Sequence, residues 1–289
     1  PHPATPDPLW SRGLGDVYKR QFSYSSASLF KQCPRRWKHK YIDKLPDPTG
    51  EAALVGTFAH DVLEQLCEQE PASRTEAKAK EIAGKNWAKF AENTDFKKLE
   101  LDEESQRAFR WKTWEAIQGL WRLEDPTKVA VEATEQKLST SLSGVPFFGI
   151  VDRLDRNKDG LTVVDYKTGK VRNDNIDQVL LYSAAVTSQT GEQPSKARLL
   201  YLGNKEITPR IIETDVSEDL IDKVVEDLSD TWNKLNDDLN SEEFEPIPTP
   251  LCGWCSFIEE CTAGIEFIKK RASSGKLRSD APARSALGL

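Results

Sequence analysis

The sequence predicts an α/β protein in which helices flank a mixed central sheet. Apolar residues recur at helical spacing through most of the chain before Pro126, and strand-like apolar runs dominate the chain after it. One helical segment interrupts these runs at about residues 175–190. Strands on both sides of a helix, after a long helical region, indicate a mixed sheet covered by helices.

The helices come first along the chain. Ser25 or Ser26 can cap the first one, which is expected to reach about His39. The predicted helices before Pro126 cover, approximately, residues 25–39, 55–66, 75–92 and 103–123. The last two form a helical insertion at about 70–125, and its tryptophans (Trp87, Trp111, Trp114 and Trp121) are expected in its core.

The strand-like runs are separated by turn residues and by one helix. They lie at about 129–138, 145–154, 161–167, 197–202 and 206–213, with a tight turn at 157–160. An acidic helix is expected from Ser217 to about Leu239, and three prolines then lead into a cysteine-containing loop. Residues 1–21 are expected to be a non-native or disordered leader. Residues 265–289 are expected to be a flexible basic tail.

Composition limits the class of protein. The 289 residues are 38% hydrophobic and 30% charged, and no apolar run approaches the length of a membrane span. The net charge of −7 leaves room for a local basic strip that binds nucleic acid. Five cysteines without a signal peptide favour a thiolate metal site in a reducing compartment, the cytoplasm, over disulfides. The absence of methionine means that the native start residue is missing, so its position stays open.

Two charges in an otherwise apolar strand are the main candidates for chemistry. Asp165 and Lys167 share one face of the run 161–167, and Asp152 lies near the end of the preceding run. Charges in such places are paired or bind a metal. The set therefore indicates either a divalent-cation site for phosphate hydrolysis or a buried ion pair that only closes the strand.

These residues resemble a known family. Asp152, the run Asp165-Tyr166-Lys167, and Gln178 four residues before Tyr182 are similar to the PD-(D/E)xK nucleases of the RecB-like branch, although Val151 stands where the family name has proline. The resemblance implies a restriction-endonuclease-like fold in a single nuclease domain over 22–264. It also implies a Mg²⁺- or Mn²⁺-dependent DNA exonuclease acting on single-stranded or frayed ends.

The resemblance also implies roles for individual residues. His60, Asp152, Asp165 and the backbone carbonyl of Tyr166 would hold the metal, and Lys167 would position or deprotonate the attacking water. Gln178 and Tyr182, which share one helical face, would contact DNA and support the lysine. A further acid could be Glu132 or Glu135, of which we prefer Glu135.

A second signal is Cys252-Gly-Trp-Cys255 followed by Cys261, with Cys33 far upstream. Four thiolates suit either zinc or a [4Fe–4S] cluster. One distant cysteine with this spacing is similar to AddB-type and CRISPR-associated iron–sulphur exonucleases, so we expect the cluster, as a clamp between the first helix and the C-terminal segment.

Between Lys31 and Lys44 the chain carries six Lys or Arg residues and one acid, interleaved with Trp37 and Tyr41. Arg35 and Arg36 are the candidates here for DNA contact. The alternative is a solvated helix with its aromatic residues in the core. No Walker P-loop is present, so we expect the protein to act with a separate helicase or with CRISPR adaptation proteins. The alternative functions are a non-catalytic DNA-binding or clamp subunit of such a complex, and a metal-based redox protein.

Overall fold

The computed structural model describes residues 22–170, 176–203 and 208–289. The predicted leader at 1–21 lies outside the described residues, as do the predicted first residue of the helix at 175 and the start of the strand at 206. The helices are α1 Tyr24–Gln32, α2 Pro34–Tyr41, α3 Glu51–Cys67, α4 Glu76–Ala91, α5 Thr94–Lys97, α6 Glu103–Leu123, α7 Ile176–Thr190, α8 Glu218–Ser241, α9 Thr262–Ser273 and α10 Ala283–Ala286. The strands are β1 Val131–Leu142, β2 Val145–Asn157, β3 Gly160–Lys167, β4 Lys196–Tyr201 and β5 Arg210–Asp215.

The described chain divides into two compact units. We call residues Thr49–Ser143 and Phe147–Glu226 the sheet unit. The cysteine unit contains the described residues up to Pro48 together with Gly144–Pro146 and Asp227–Leu289. None of the described helices is both long enough and apolar enough to cross a bilayer.

The sheet unit contains a five-stranded mixed sheet in the order β1-β2-β3-β4-β5. β2 pairs with β3 antiparallel, β3 with β4 parallel, and β4 with β5 antiparallel. Parallel neighbours need a crossover connection, and α7 lies in the connection between β3 and β4. The predicted mixed sheet flanked by helices is confirmed.

Helices α3, α4 and α6 of the sheet unit share one apolar core with β3 and β4. α6 approaches β4 closely: a Cβ on Gly119 would lie 1.8 Å from the Leu202 carbonyl oxygen, so only glycine fits there. The expectation that the tryptophans of this region are core residues is wrong for Trp111, whose surface is 61% exposed. Trp87, Trp114 and Trp121 pack against the core as expected.

The cysteine unit begins with two helices where the sequence predicts one. α1 is capped by the Ser23 hydroxyl, which accepts from the Ser26 N–H at 3.3 Å, and neither Ser25 nor Ser26 is the cap. Cys33, with extended backbone angles, separates α1 from α2, and Pro34 is the first residue of α2. The predicted continuous helix is wrong because the residue before a proline avoids helical angles.

The segment 265–289 also differs from its prediction as a flexible tail. It contains most of α9 and all of α10. Ile268 and Leu277 are buried together with Ile258 in a small apolar cluster. These apolar side chains order the segment despite its basic composition.

Candidate active site

Two neighbouring strands bring the predicted acids together, in the middle of β2 and near the end of β3. Arg153 of β2 pairs with Val164 of β3, so Asp152 stands one register position further, opposite Asp165. The Tyr166 N–H donates to Asp152 Oδ2 at 2.7 Å, which fixes this carboxylate at the end of β3. The Asp165 side chain is only 4% exposed. The local alternation of β3 therefore buries one acid beside another, and such burial requires a compensating cation.

Lys167 is held between two partners. Its ammonium group lies 2.6 Å from Asp165 Oδ2 and donates to Gln178 Oε1 at 2.7 Å. Gln178 Nε2 in turn donates to the Tyr182 hydroxyl at 2.8 Å, along one face of α7. An ammonium group has three N–H donors, and among the described residues only Gln178 accepts a hydrogen bond of good geometry from it, so it can also donate to a water or a phosphate oxygen.

A glycine in β2 makes room for this chain of hydrogen bonds. A Cβ on Gly149 would lie 2.6 Å from the Tyr182 ring. Tyr182 is buried and its pKa is raised, first by burial and then by the charge of Asp165, so its hydroxyl stays protonated. The predicted helical pair of Gln178 and Tyr182 thus contacts the predicted lysine.

His60 reaches the same place from α3. Its Nδ1 lies 3.4 Å from Asp152 Oδ1, and its Nε2–H donates to the Tyr166 carbonyl oxygen at 3.0 Å. Burial acts to lower the pKa of His60, but the Asp152 carboxylate outweighs it and raises the pKa to about 9. Without a metal the imidazole is therefore protonated at neutral pH and offsets part of the acidic charge.

The structure separates the two candidate glutamates. Ligand atoms of His60, Glu135 and Asp152 all lie within 4.8 Å of one another. Glu132 instead forms an exposed ion pair with Arg156 at 2.9 Å. Glu135 has φ = +44°, which interrupts the extended backbone of β1 and redirects its side chain. Burial, and then the charge of Asp152, raises its pKa to about 7.

These donors fit a hard divalent cation. Burial, and then the charge of Asp152, raises the pKa of Asp165 to about 6, so the site gathers more negative charge than it neutralises. Asp165 Oδ2 accepts no hydrogen bond of acceptable geometry from the described residues, although Lys167 is its ion-pair partner. Carboxylate and carbonyl oxygens are the ligands that Mg²⁺ prefers, and Mn²⁺ also accepts imidazole. Among the described residues, His60, Glu135 and Asp152 have ligand atoms close enough to one another to hold one ion, and the Tyr166 carbonyl oxygen lies 3.0 Å from His60 Nε2. Asp165, which the sequence predicts as a ligand, stands outside this group.

The site opens into a cleft of about 580 Å³ in the sheet unit. Its lining residues are mostly polar and come from α3, the middle of β2, the end of β3 with the two residues after it, and Glu135: Ala53, Gly56, Thr57, His60, Asp61, Glu64, Glu135, Ile150, Asp152, Tyr166, Lys167, Thr168 and Gly169. A cleft of this size admits an extended polar substrate to the acids.

Sequence reasoning missed Glu64. It lines the cleft one turn after His60 on α3, and its pKa is raised by burial and then by Glu68, Asp61 and Asp152. The spacing of four residues after His60 was the available signal.

Sequence reasoning also missed a buried network behind the site. The Arg153 guanidinium, 0% exposed, lies 2.6 Å from Glu124, 2.8 Å from Asp155 and 2.7 Å from the Tyr166 hydroxyl. No local pattern distinguishes this arginine from an exposed one. The network anchors Tyr166, whose backbone touches both Asp152 and His60.

The four predicted cysteines lie together in the cysteine unit. They line one cavity of about 230 Å³, much larger than the roughly 30 Å³ share of one water. Each sulphur has a backbone N–H close to it, from Ile247 (Cys33, 3.5 Å), Thr249 (Cys252, 3.4 Å), Phe257 (Cys255) and Gly264 (Cys261, 3.4 Å). Among the described residues, no three of these sulphurs come within 4.8 Å of one another. Cys67 is a buried core residue of α3, as expected.

Arg35 and Arg36, the predicted DNA contacts, line this cysteine cavity. Arg35 Nε donates to the Phe244 carbonyl oxygen at 2.8 Å, which gives the side chain a structural partner. Trp37 is buried and its indole N–H donates to the Ser26 hydroxyl at 2.9 Å. The interpretation of α2 as a helix with its tryptophan in the core therefore holds for Trp37.

Comparison with known proteins matches the chain to one family model and to solved structures of similar fold. Residues 21–262 match the family model of the PD-(D/E)XK nuclease superfamily. A crystal structure from Eubacterium rectale, of a protein named "Putative exonuclease", is similar with a TM-score of 0.52 and 15% identity, covering 92% of this chain and 94% of that chain. The structure of SSO0001 is similar with a TM-score of 0.39 and 15% identity, covering 89% and 95%. No curated protein matches the chain.

Proposed function

The chain belongs to the PD-(D/E)XK nuclease superfamily, and from this membership and the geometry of its site we propose a metal-dependent DNA exonuclease. The restriction-endonuclease-like fold expected from the sequence is confirmed, with its mixed five-stranded sheet. The proposed substrate is single-stranded DNA or a frayed end, and the reaction is hydrolysis of a phosphodiester bond.

One observation carries the proposal. Asp152 and Asp165 stand opposite each other on two paired strands, with Lys167 beside Asp165. An open cleft next to them is lined by Asp152 and Lys167 together with His60 and Glu135. A buried ion pair that only closes a strand needs one acid and one base. It does not explain why His60 and Glu135 also place ligand atoms within 4.8 Å of Asp152, whose charge raises the pKa of both Glu135 and Asp165.

The residues divide the work of hydrolysis. When bound, Mg²⁺ or Mn²⁺ would lower the pKa of a water and offset charge on the phosphate. Asp152, Asp165, Glu135, His60 and the Tyr166 carbonyl would hold the ion.

The Lys167 ammonium, held between Asp165 and Gln178, would donate to the attacking water or offset the charge that develops on the phosphoryl oxygens. Gln178 and Tyr182 are positioning residues that keep this ammonium in place. Because the ammonium is paired with the Asp165 carboxylate, we favour this role for Lys167 over that of a general base.

We also propose that Cys33, Cys252, Cys255 and Cys261 hold a [4Fe–4S] cluster, as in the RecB-like branch. A single tetrahedral zinc with bonds of about 2.3 Å would draw the sulphurs to within about 4 Å of one another. The wider spacing and the cavity between them favour the larger group. The N–H groups that face each sulphur would stabilise thiolates bound to iron. Such a cluster implies a reducing compartment, for which we propose the cytoplasm.

The proposal also concerns partners. The Eubacterium rectale protein of similar fold carries an exonuclease name, which supports action from strand ends. The sequence contains no Walker P-loop, so we propose that a separate helicase or CRISPR adaptation machinery supplies the strands.

The test is cleavage of end-labelled single-stranded DNA in Mg²⁺ and in Mn²⁺. We expect Lys167→Ala to abolish cleavage while leaving the fold and the visible spectrum of the cluster intact. Lys196→Ala is the matched control, because this lysine lies on the adjacent strand and pairs with Glu213 outside the cleft. Full activity of Lys167→Ala would refute the site. A wild-type protein that binds DNA but cleaves none under either metal would indicate a non-catalytic clamp subunit.

A further inference from the structure

A second groove lies in the sheet unit, between α4 and α6. Its volume is about 440 Å³. The lining residues are Phe58, Lys80, Ala83, Gly84, Arg107, Arg110, Trp111, Thr113, Trp114 and Ile117. Thr57 of α3 lines the cleft and the next residue, Phe58, lines this groove, so the two depressions adjoin one helix.

The charges of this groove have one sign. Lys80, Arg107 and Arg110 line it, all three are exposed, and no acid lines it. The ion pairs of the described residues include none of the three. By contrast Lys112, on the same helix as the arginines, pairs with Glu51 at 3.0 Å. A protein of net charge −7 thus keeps three uncompensated cations in one depression, where they attract an anionic ligand.

An exposed indole stands beside these cations. Trp111 is 61% exposed, although a tryptophan is a side chain that proteins normally bury. Arg110 and Trp111 lie three and four residues after Arg107 on α6, so both share a face of the helix with Arg107. The Arg110 guanidinium lies 4.9 Å from the centre of the Trp87 ring, which holds it in place without neutralising it.

A glycine keeps the groove open. Gly84 lies in the middle of α4, where glycine is less favourable to the helix than alanine. A Cβ at this position would have nothing within 4 Å, so packing does not require the glycine. Its absent side chain leaves space beside the cations and the indole.

We propose that this groove binds the unpaired tail of the nucleic-acid strand whose phosphodiester occupies the cleft. Single strands carry a phosphate and a planar base at each nucleotide, which match cations interleaved with an exposed aromatic ring. Lys80, Arg107 and Arg110 bind phosphates, and Trp111 stacks on a base. This inference rests on the proposed nuclease function, and it assigns the helical insertion a role in holding the strand.

The experiment measures binding of fluorescein-labelled oligothymidine by anisotropy, to the full chain in EDTA, where cleavage is absent. Stacking on one base contributes about 1–3 kcal/mol. Trp111→Ala should therefore weaken binding about 5- to 150-fold. The double variant Arg107→Ala/Arg110→Ala should make the slope of log K against log salt concentration less steep, by about 0.7 for each phosphate that it no longer neutralises. Lys112→Ala is the matched charge control on α6. It should leave the affinity within twofold of the wild type and the salt slope unchanged.

Gly84→Leu separates binding from folding. Leucine is the better helix former and its Cβ meets no neighbour, so the melting temperature should rise while the filled groove loses affinity. Wild-type affinity in both Trp111→Ala and Gly84→Leu would overturn the proposal, and so would equal losses in Lys112→Ala. A different result would assign the groove to an acidic protein partner instead. In that case the variants would keep wild-type DNA affinity, the wild-type protein would bind a polyglutamate peptide, and Arg107→Ala/Arg110→Ala would abolish this peptide binding. Failure of wild-type cleavage in metal, with these binding effects present, would contradict the nuclease function and leave the groove assignment standing.

Discussion

Substituting Glu135→Gln should stabilise the metal-free protein and weaken its response to metal. Burial, Asp152 and Glu64 raise the pKa of Glu135 from 4.5 to about 7. At about 1.36 kcal/mol for each pH unit between the two pKa values, the ionised carboxylate costs at most about 3 kcal/mol. Since the side chain is partly exposed, solvent screening reduces this cost to roughly 1–2 kcal/mol.

The sign of the effect follows from the raised pKa. Below about pH 4.5 the carboxyl is protonated in both the folded and the unfolded chain, so Glu135 costs nothing there. Between about pH 4.5 and pH 7 the carboxyl ionises in the unfolded chain but stays largely protonated in the folded protein, so the free energy of unfolding falls as the pH rises. Above about pH 7 the carboxyl is ionised in both states and the cost is constant. The gain from Glu135→Gln should therefore be absent near pH 4 and complete at pH 8.

The response to metal has the opposite sign. A neutral amide is a poorer ligand than a carboxylate, and each tenfold loss of affinity removes about 1.4 kcal/mol of stabilisation by excess metal. Thermal unfolding in EDTA and in Mn²⁺ at pH 8 measures both effects, at about 2–4 °C for each kcal/mol. Glu132→Gln on the same strand is the control, because its exposed pair with Arg156 is worth less than about 1 kcal/mol. A Glu135→Gln variant that is less stable than wild type in EDTA, or equally stabilised by Mn²⁺, would refute the assignment of Glu135 to the metal site.

Four further substitutions test the residues around the site and the packing of the helices. Gln178→Ala should lower the cleavage rate roughly 10- to 100-fold at saturating metal with unchanged metal affinity, because it releases the ammonium that it positions, and an unaltered rate would contradict this. Arg153→Met should destabilise the protein by about 3–5 kcal/mol in urea unfolding, since it leaves two buried acids without their cation, and a change below about 1 kcal/mol would contradict it. Gly119→Ala should cost at least the roughly 1–3 kcal/mol of overpacking, because its Cβ meets the Leu202 carbonyl, whereas Gly84→Ala should stabilise α4 by about 0.5–1 kcal/mol, and similar melting temperatures for both would contradict the packing described.

Local periodicity was enough to predict the strand that carries the acid and the lysine. Side chains alternate along a strand, so Asp165 and Lys167 had to share a face, and their separation of 2.6 Å follows from that. The pair Gln178 and Tyr182 was predictable for the same reason, with the period of a helix. The position of His60 was predictable only through the family resemblance, because a lone histidine on a helix has no local signature.

The features that were missed depend on backbone departures and long-range contacts. Glu132 and Glu135 are an odd number of residues apart, so a regular strand would place them on opposite faces, but alternation alone does not say which of the two faces the site. The strand is also irregular at Glu135, which has a positive φ. The helix break at Cys33 has a signal in the sequence, because the residue before Pro34 avoids helical backbone angles. Helical spacing alone does not show this break. The buried partners of Arg153 come from distant positions and from its own strand, so no window of sequence contains them all.

The charges of the site explain why it is costly to the fold and suited to a cation. Asp152, Asp165 and Glu135 gather at one place, and the protonated His60 and the Lys167 ammonium offset them only in part. The protein accommodates the excess by retaining protons, which is the physical meaning of pKa values raised to about 6 and about 7. A divalent ion would displace those protons, so its affinity must rise with pH until the carboxyls are ionised. The same arrangement that lowers the stability of the metal-free protein at pH 8 therefore provides the affinity for the ion on which hydrolysis would depend.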